Sequence, residues 1–260
     1  MLLCIMADAT KTTHFGFEDV PIEQKQNRVR GVFDSVASQY DIMNDVMSGG
    51  LHRLWKNHFV SQLPMREGAH LLDLAGGTGD ISFRYLKRAH ENGMKVKATI
   101  SDINGSMLAE GQKRALNQNM SSYGEIEWLQ ANAEKLPLPD NSVDAVTIAF
   151  GIRNVTHIDR ALKEFYRVLK VGSPFYCLEF SPVNKPVLKE IYDAYSFNLI
   201  PQFGKMITGD KDSYQYLVES IRKFPTAENF EGMIGEAGFS RTGFDRLTAG
   251  VVAIHKGWKI

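Results

Sequence analysis

Cysteine is scarce. The chain carries two, Cys4 and Cys177, too few for a disulfide framework, and neither has the spacing of a metal ligand. A reducing compartment fits that usage. Net charge is missing as well: 30 Lys and Arg cancel 30 Asp and Glu, which removes the electrostatic footprint of a nucleic-acid binder. No basic block or acidic tail stands out. Long apolar runs are lacking. The opening MLLCIM is far too short to span a bilayer and has no positive leader. Asp8, Glu18 and Asp19, with few arginines around them, are wrong for a transit peptide. The expectation is a cytoplasmic chain without a spanning segment. What is present is core material: 260 residues, 43% hydrophobic, with 15 Phe, enough for one large α/β domain or two small ones.

The pattern along the chain is uneven. Residues 1–20 are polar and aperiodic, and read as disordered. From Pro21 to Leu63 the spacing turns helical, through Val29, Val32, Phe33 and Val36 and again through Leu51, Leu54, Trp55 and Phe59, with Ser48-Gly49-Gly50 breaking the two runs. Strands are then expected at His70–Ala75, Lys97–Ile103, Ile126–Ala131, Ala145–Gly151 and Pro174–Phe180. Helices are expected near 79–91, 105–119 and 157–170. This alternation predicts an α/β fold, a doubly wound and mostly parallel sheet with its ligand crevice at the carboxyl ends of the strands. Two closing strands near 239–247 and 249–256 predict a hairpin, with the last strand antiparallel at the sheet edge. An aromatic and Met-rich insert at 185–225 breaks the alternation and reads as a helical substrate lid or as extra core.

Chemistry-bearing residues fall at the predicted strand ends. LLDLAGGTGD places Asp73 just before a glycine turn; Asp73, Gly77 and Gly79 are candidate cofactor contacts, the glycines letting backbone approach a ligand without a Cβ in the way. In a G-x-G-x-x-G reading from Gly77 the third glycine is Ser82, which disfavours a dinucleotide and an NAD-type oxidoreductase. Asp102 ends the next strand, where a carboxylate can accept both hydroxyls of a ribose. Asn132-Ala133 follow the third, where an amide and a backbone N–H can read an adenine edge. Taken singly, a glycine turn is often only a connection and an Asp at a strand end only a helix cap; the combination is stronger than its parts.

The stretch DLAGGTGD resembles the first motif of class I S-adenosylmethionine-dependent methyltransferases, with Ala75 in place of its usual first glycine. With NAEKLPLPDNSVDAVTIAFGIRNV, ALKEFYRVLKVGSPFYCLEFS and FDSVASQYDIMNDVMSGGLHRLWK, the chain is similar to the ubiquinone/menaquinone biosynthesis C-methyltransferase family from about Asn27 onward. The resemblance implies S-adenosylmethionine as cofactor, with contacts at Thr78, Asp102, Asn132 and Ala133, and no metal. A family serine is replaced by Ala149. It implies a single methyltransferase domain over 21–260, with a seven-stranded sheet. It implies C-methylation of a prenylated quinol. A long prenyl tail lies in the bilayer, so transient contact with the surface of the inner membrane is expected; other quinone-biosynthesis enzymes and a second copy of the chain, as a homodimer, are candidate partners.

A ring carbon becomes nucleophilic when a neighbouring hydroxyl, titrating near ~10, loses its proton. A fixed cation favours that phenolate, and Arg153, in GIRNV at the end of the fourth strand, is the candidate, with Asn154 to bind the quinol oxygen or a water. Tyr40 resembles a family tyrosine that closes over the site, and the resemblance gives the group Arg153, Asn154 and Tyr40 a part in proton removal. Guanidinium is a very poor base, so water carries the proton away. The blander readings have Arg153 cap the following helix or pair with a carboxylate; Glu179 either contacts substrate or pairs with a neighbouring cation. His52, His157 and Asp210 are other candidate bases. Competing functions are methylation of another phenolic or lipid acceptor and a non-catalytic cofactor-binding scaffold.

Overall fold

The computed structural model describes residues 12–36, 42, 44, 45, 48–182 and 211–260. In chain order these give β1 (Thr12–Phe15), β2 (Glu18–Pro21), α1 (Ile22–Val36), α2 (His52–Gln62), β3 (His70–Leu74), α3 (Asp80–Glu91), β4 (Lys97–Asp102), α4 (Gly105–Asn117) and β5 (Glu125–Gln130). They continue with β6 (Ala145–Ala149), α5 (Ile158–Val168), β7 (Pro174–Phe180), α6 (Lys211–Lys223), α7 (Ala227–Glu236), β8 (Ser240–Leu247) and β9 (Val252–Trp258).

Seven strands form one sheet in the order β5-β4-β3-β6-β7-β9-β8. β3 pairs in parallel with β4 and β6, β4 with β5, and β6 with β7. Strand side chains alternate between two hydrophobic clusters. Leu71, Ala98 and Ile100 join Trp55, Phe59, Tyr85 and Leu86 in one. Leu72, Val146 and Phe175 join Leu162, Phe165 and Phe230 in the other. The inner strands are buried on both sides, as a doubly wound sheet requires. On α5 the buried residues Ala161, Leu162, Phe165 and Val168 keep helical spacing, so one stripe meets the sheet.

Three expectations are corrected. The 12–20 part of the segment read as disordered is a hairpin, turned at Gly16 with φ +59°. Its support comes from α6: Phe15 stacks on Tyr216 at 4.2 Å, and Phe17 N–H donates to Glu219 at 3.0 Å. Those partners lie some two hundred residues along the chain, where no local pattern could show them. The hairpin at the other end sits at the sheet edge as expected, but its last strand does not. β9 is inserted antiparallel between β7 and β8. The reason is burial: β9 is apolar and covered on both faces, whereas the polar β8 tolerates the edge. Strand ends are also shorter than expected. β3 stops before Ala75 and β6 before Phe150, because these residues turn into the left-handed region, at φ +48° and +56°.

Of the insert at 185–225, residues 185–210 lie outside the described residues. From Lys211 on it forms α6, whose Tyr214, Tyr216, Leu217 and Ile221 are buried against the sheet side of the core. That part packs as core, and α7, which the sequence pattern did not reveal, follows it.

Candidate functional site

Parallel strands present their carboxyl ends on one rim, and the rim order β5-β4-β3-β6 brings four loops together. The cleft there contains about 1160 Å³ of empty space, its open mouth included, and α1 and α2 wall its outer side through Val29, Phe33 and Lys56. Asp73, Gly77, Thr78, Asp102, Asn132, Ala133 and Asn154 all line it. Tyr40 and Asp210 lie outside the described residues. Gly79 stands behind the lining as the α3 N-cap, with φ +83°.

The glycine turn is tighter than its sequence suggests. Gly76 N–H donates to Ser101 O, Gly77 N–H to Asp102 Oδ2 and Gly79 N–H to Gly76 O, so these three donors face protein. A Cβ on Gly77, whose φ is +49°, would come within 2.9 Å of Met107 Cε, and one on Gly79 within 2.8 Å of the Phe83 ring. The glycines are therefore required by the turn itself, and they leave a cradle open toward the cleft.

Asp73 is not a cleft acceptor. Its Oδ2 accepts from the Ser82 hydroxyl at 2.8 Å and the Ser82 N–H at 3.2 Å, and its Oδ1 from Thr147 at 3.0 Å. The carboxylate that was expected to line up with a ligand instead ties β3 to β6 and to the first turn of α3, and burial pushes it up to about 6. Ser82, the residue that breaks the dinucleotide fingerprint, is its partner. Asp102 differs. It accepts N–H groups of Gly77 and Asn104 at 3.0 and 2.8 Å while remaining open to the cleft, and desolvation pushes it up to about 6. Asn132 Oδ1 accepts from Glu134 N–H at 2.9 Å, which shapes its loop and leaves the amide nitrogen for a ligand.

The turn after β6 holds Arg153 and Asn154. Arg153 is 5% exposed and does not line the cleft. Its Nη1 donates to Glu179 Oε1 at 2.7 Å and Phe150 O at 2.6 Å, and its Nε to Ser220 at 3.3 Å. Pairing with a carboxylate, one of the blander sequence readings, is what the geometry contains, and the partner is Glu179. Asn154 does face the cleft, and Tyr216 Oη donates to its Oδ1 at 2.9 Å, orienting the amide. Burial holds the Tyr216 phenol well above its usual range, so it stays a donor. His52 is paired with Asp45 at 2.8 Å, and the His157 backbone donates to Glu134.

Sequence reasoning missed Lys56, Asp80 and Tyr216. Lys56 Nζ lies 2.9 Å from Asp80 Oδ2 at the cleft wall. Trp55 and Phe59 marked the helix as amphipathic, and a lysine one residue after Trp55 on that buried face was the available signal.

Comparison with known proteins adds a second line of observation. The model of the ubiE/COQ5 methyltransferase family matches residues 22–259. The chain is 54% identical to the ubiquinone/menaquinone biosynthesis C-methyltransferase UbiE of Rhodopseudomonas palustris (strain BisB5), over 96% of this chain and 98% of that one. It is 50% identical to the mitochondrial 2-methoxy-6-polyprenyl-1,4-benzoquinol methylase of Dictyostelium discoideum, over 95% and 86%. Among solved structures it shares the fold of a SAM-dependent methyltransferase from Aquifex aeolicus, with a TM-score of 0.57 at 16% identity, over 79% of this chain and 89% of that one.

Proposed function

Because the chain belongs to the ubiE/COQ5 methyltransferase family, we propose that it moves a methyl group from S-adenosylmethionine to a ring carbon of a polyprenylated quinol in ubiquinone or menaquinone biosynthesis. The acceptor is 2-polyprenyl-6-methoxy-1,4-benzoquinol, demethylmenaquinol, or both. The observation that carries the reading is the cleft along four strand tips, with Asp102 at its middle and Asn154 at its β6 end.

The cradle at Gly77, open toward the cleft beside Asp102, fits the cofactor. Asp102 would hold the ribose hydroxyls, and Thr78, Asn132 and Ala133 would complete its seat, with Gly79 behind them setting the turn. S-adenosylmethionine, when bound, supplies a methyl group already activated on a sulfonium. What remains for the protein is alignment and activation of the acceptor. Asn154 presents its amide nitrogen to the quinol oxygen, held in that orientation by Tyr216. Arg153 acts through Asn154: anchored on Glu179, Phe150 and Ser220, it fixes the turn that carries the amide. Its guanidinium keeps its proton, so the phenol proton leaves through water. Tyr40 takes part in the same site in this reading, a role that rests on the family likeness. We read residues 21–260 as one methyltransferase domain.

No helix among the described residues is long and apolar enough to cross a membrane. A prenylated acceptor resides in the bilayer, so the enzyme meets the membrane surface peripherally, from the cytoplasmic side of the inner membrane. Other quinone-biosynthesis enzymes and a second copy of the chain are its expected partners.

The test is direct. Purified protein is incubated with methyl-labelled donor and each demethyl quinol, carrying short or long tails, and the product is identified by mass spectrometry. Label on the ring carbon, with long tails favoured, is the expected result. Label on oxygen, or no transfer to either quinol, overturns the reading.

A further inference from the structure

One cationic cluster at the cleft has no part in the mechanism above. Lys56, on α2, is 4% exposed and lines the cleft, and Asp80 is its one side-chain partner among the described residues. Asp80 also accepts from Arg84 Nε at 2.9 Å and lies 3.8 Å from Arg114 Nη2. Burial works to raise the Asp80 carboxyl, yet Lys56, Arg84 and Arg114 hold it well below the usual carboxylate range. Three cations therefore converge on one carboxylate, at the first turn of α3, where the helix dipole adds to the positive potential. Lys56 is the desolvated one of the three, since Arg84 and Arg114 are each 26% exposed, and a buried ammonium is costly unless acceptors complete its shell. An ammonium has three donors, and Lys56 directs one of them at Asp80.

The order of the strand tips indicates which anion. Asn132-Ala133 follow β5, Asp102 ends β4, the glycine turn follows β3, and Asn154 follows β6. Neighbouring strands lie about 4.8 Å apart, so four tips span roughly 14 Å, the reach of an extended nucleoside joined to an amino acid. With the base at β5 and the ribose at Asp102, the amino-acid arm reaches the β3 turn, where Lys56 and Asp80 line the wall. We infer that Lys56 binds the α-carboxylate of the cofactor's amino-acid arm and so fixes the position of the reacting sulfur along the rim. This rests on S-adenosylmethionine being the methyl donor. Within the glycine turn the N–H groups of Gly76, Gly77 and Gly79 are already taken by protein acceptors, so Lys56 adds a charge that the turn itself lacks. The charge is brought by a helix outside the strand-tip motifs.

Two ligands separate the parts of the claim: S-adenosylhomocysteine, which has the carboxylate, and 5′-deoxy-5′-methylthioadenosine, which lacks the amino-acid arm. Both are titrated into wild-type protein and the K56Q and K56R variants by calorimetry. K56Q is expected to weaken S-adenosylhomocysteine about 10- to 100-fold, the range for loss of a charge-assisted hydrogen bond, and to leave methylthioadenosine unchanged. K56R, which keeps the charge, retains most of the affinity. Equal weakening of both ligands, or unchanged S-adenosylhomocysteine binding, overturns the inference. Wild-type protein that bound neither ligand would instead overturn the cofactor reading, and this inference with it. Should circular dichroism show K56Q unfolded, the double variant K56M/D80N removes both buried charges together, and the same ligand contrast decides the matter.

Discussion

At Asp102 burial and hydrogen bonding pull in opposite directions. Desolvation raises the carboxyl to about 6, while N–H groups of Asn104 and Gly77 work to lower it. An ionised carboxylate accepts two ribose hydroxyls; a protonated one has lost part of that capacity. Cofactor affinity is therefore expected to fall as pH drops below about 6, by up to tenfold per unit for one linked proton. D102N should bind about 10- to 100-fold more weakly and show no such pH dependence. Calorimetry between pH 5 and 8, on the order of one titration step at each side of the shifted value, reads both effects. A second residue-scale feature is steric. Ala75 holds φ +48°, and a Cβ on Gly151 would lie 2.4 Å from the Ala75 Cβ. G151A should destabilise by about 1–3 kcal/mol, the cost of overpacking. A75G should restore the loss, because it clears the contact and removes a side chain from the left-handed region. Urea unfolding of the two single variants and the double variant forms the cycle that checks this coupling.

Arg153 and Glu179 matter at the scale of elements. The 2.7 Å pair joins the turn after β6 to the end of β7, and Ser220 adds α6. Neither side chain is more than 4% exposed, so a lone partner would be an unpaired buried charge. R153M is expected to lower stability by about 3–5 kcal/mol, and R153M/E179L to regain much of that by replacing the ion pair with apolar packing. Thermal and urea unfolding measure it. A direct phenolate contact by Arg153 would predict the opposite balance, a loss of turnover with little loss of stability. The same three elements orient Asn154 through Tyr216, and Tyr216 in turn supports the β1–β2 hairpin through Phe15. Helix α6 thus links the chain's N-terminal hairpin to the cleft wall.

Across the whole molecule, buried titratable groups act against each other in one pH window. Asp73 and Asp102 are pushed up to about 6, so their contribution to stability is complete below the unfolded carboxylate value and is lost as pH rises through 6. His255, sealed between Phe230 and Phe244, is pushed down to about 4, chiefly by desolvation and then by Arg246. The unfolded chain binds a proton there between about 4 and 6.5 that the folded chain refuses, so this group's contribution grows as pH rises through that window. In H255L the slope of unfolding free energy against pH between 4 and 6 should become more negative by up to about 1.4 kcal/mol per unit. An unchanged slope in urea melts across that window would show His255 to be protonated, or exposed, in the native state.

Periodicity and the strand-end residues of the sequence determined the alternating α/β architecture and the line of glycine turn, acid and amide. These are local: burial on two faces demands apolar runs, a left-handed turn demands glycine, and a motif keeps its spacing in any fold. Asn132, Asp102 and the turn at Gly77 could be placed because each follows its own strand. Tertiary structure alone decided what those residues face. It turned Asp73 inward onto Ser82 and Thr147, hid Arg153 behind Asn154, paired Lys56 with Asp80, and slid β9 between β7 and β8. The partners in those contacts lie 9, 74, 26 and 24 residues apart for the four ion and hydrogen-bond pairs. Burial and pairing of charge are properties of packed surfaces, and they exist only after distant segments have closed on one another.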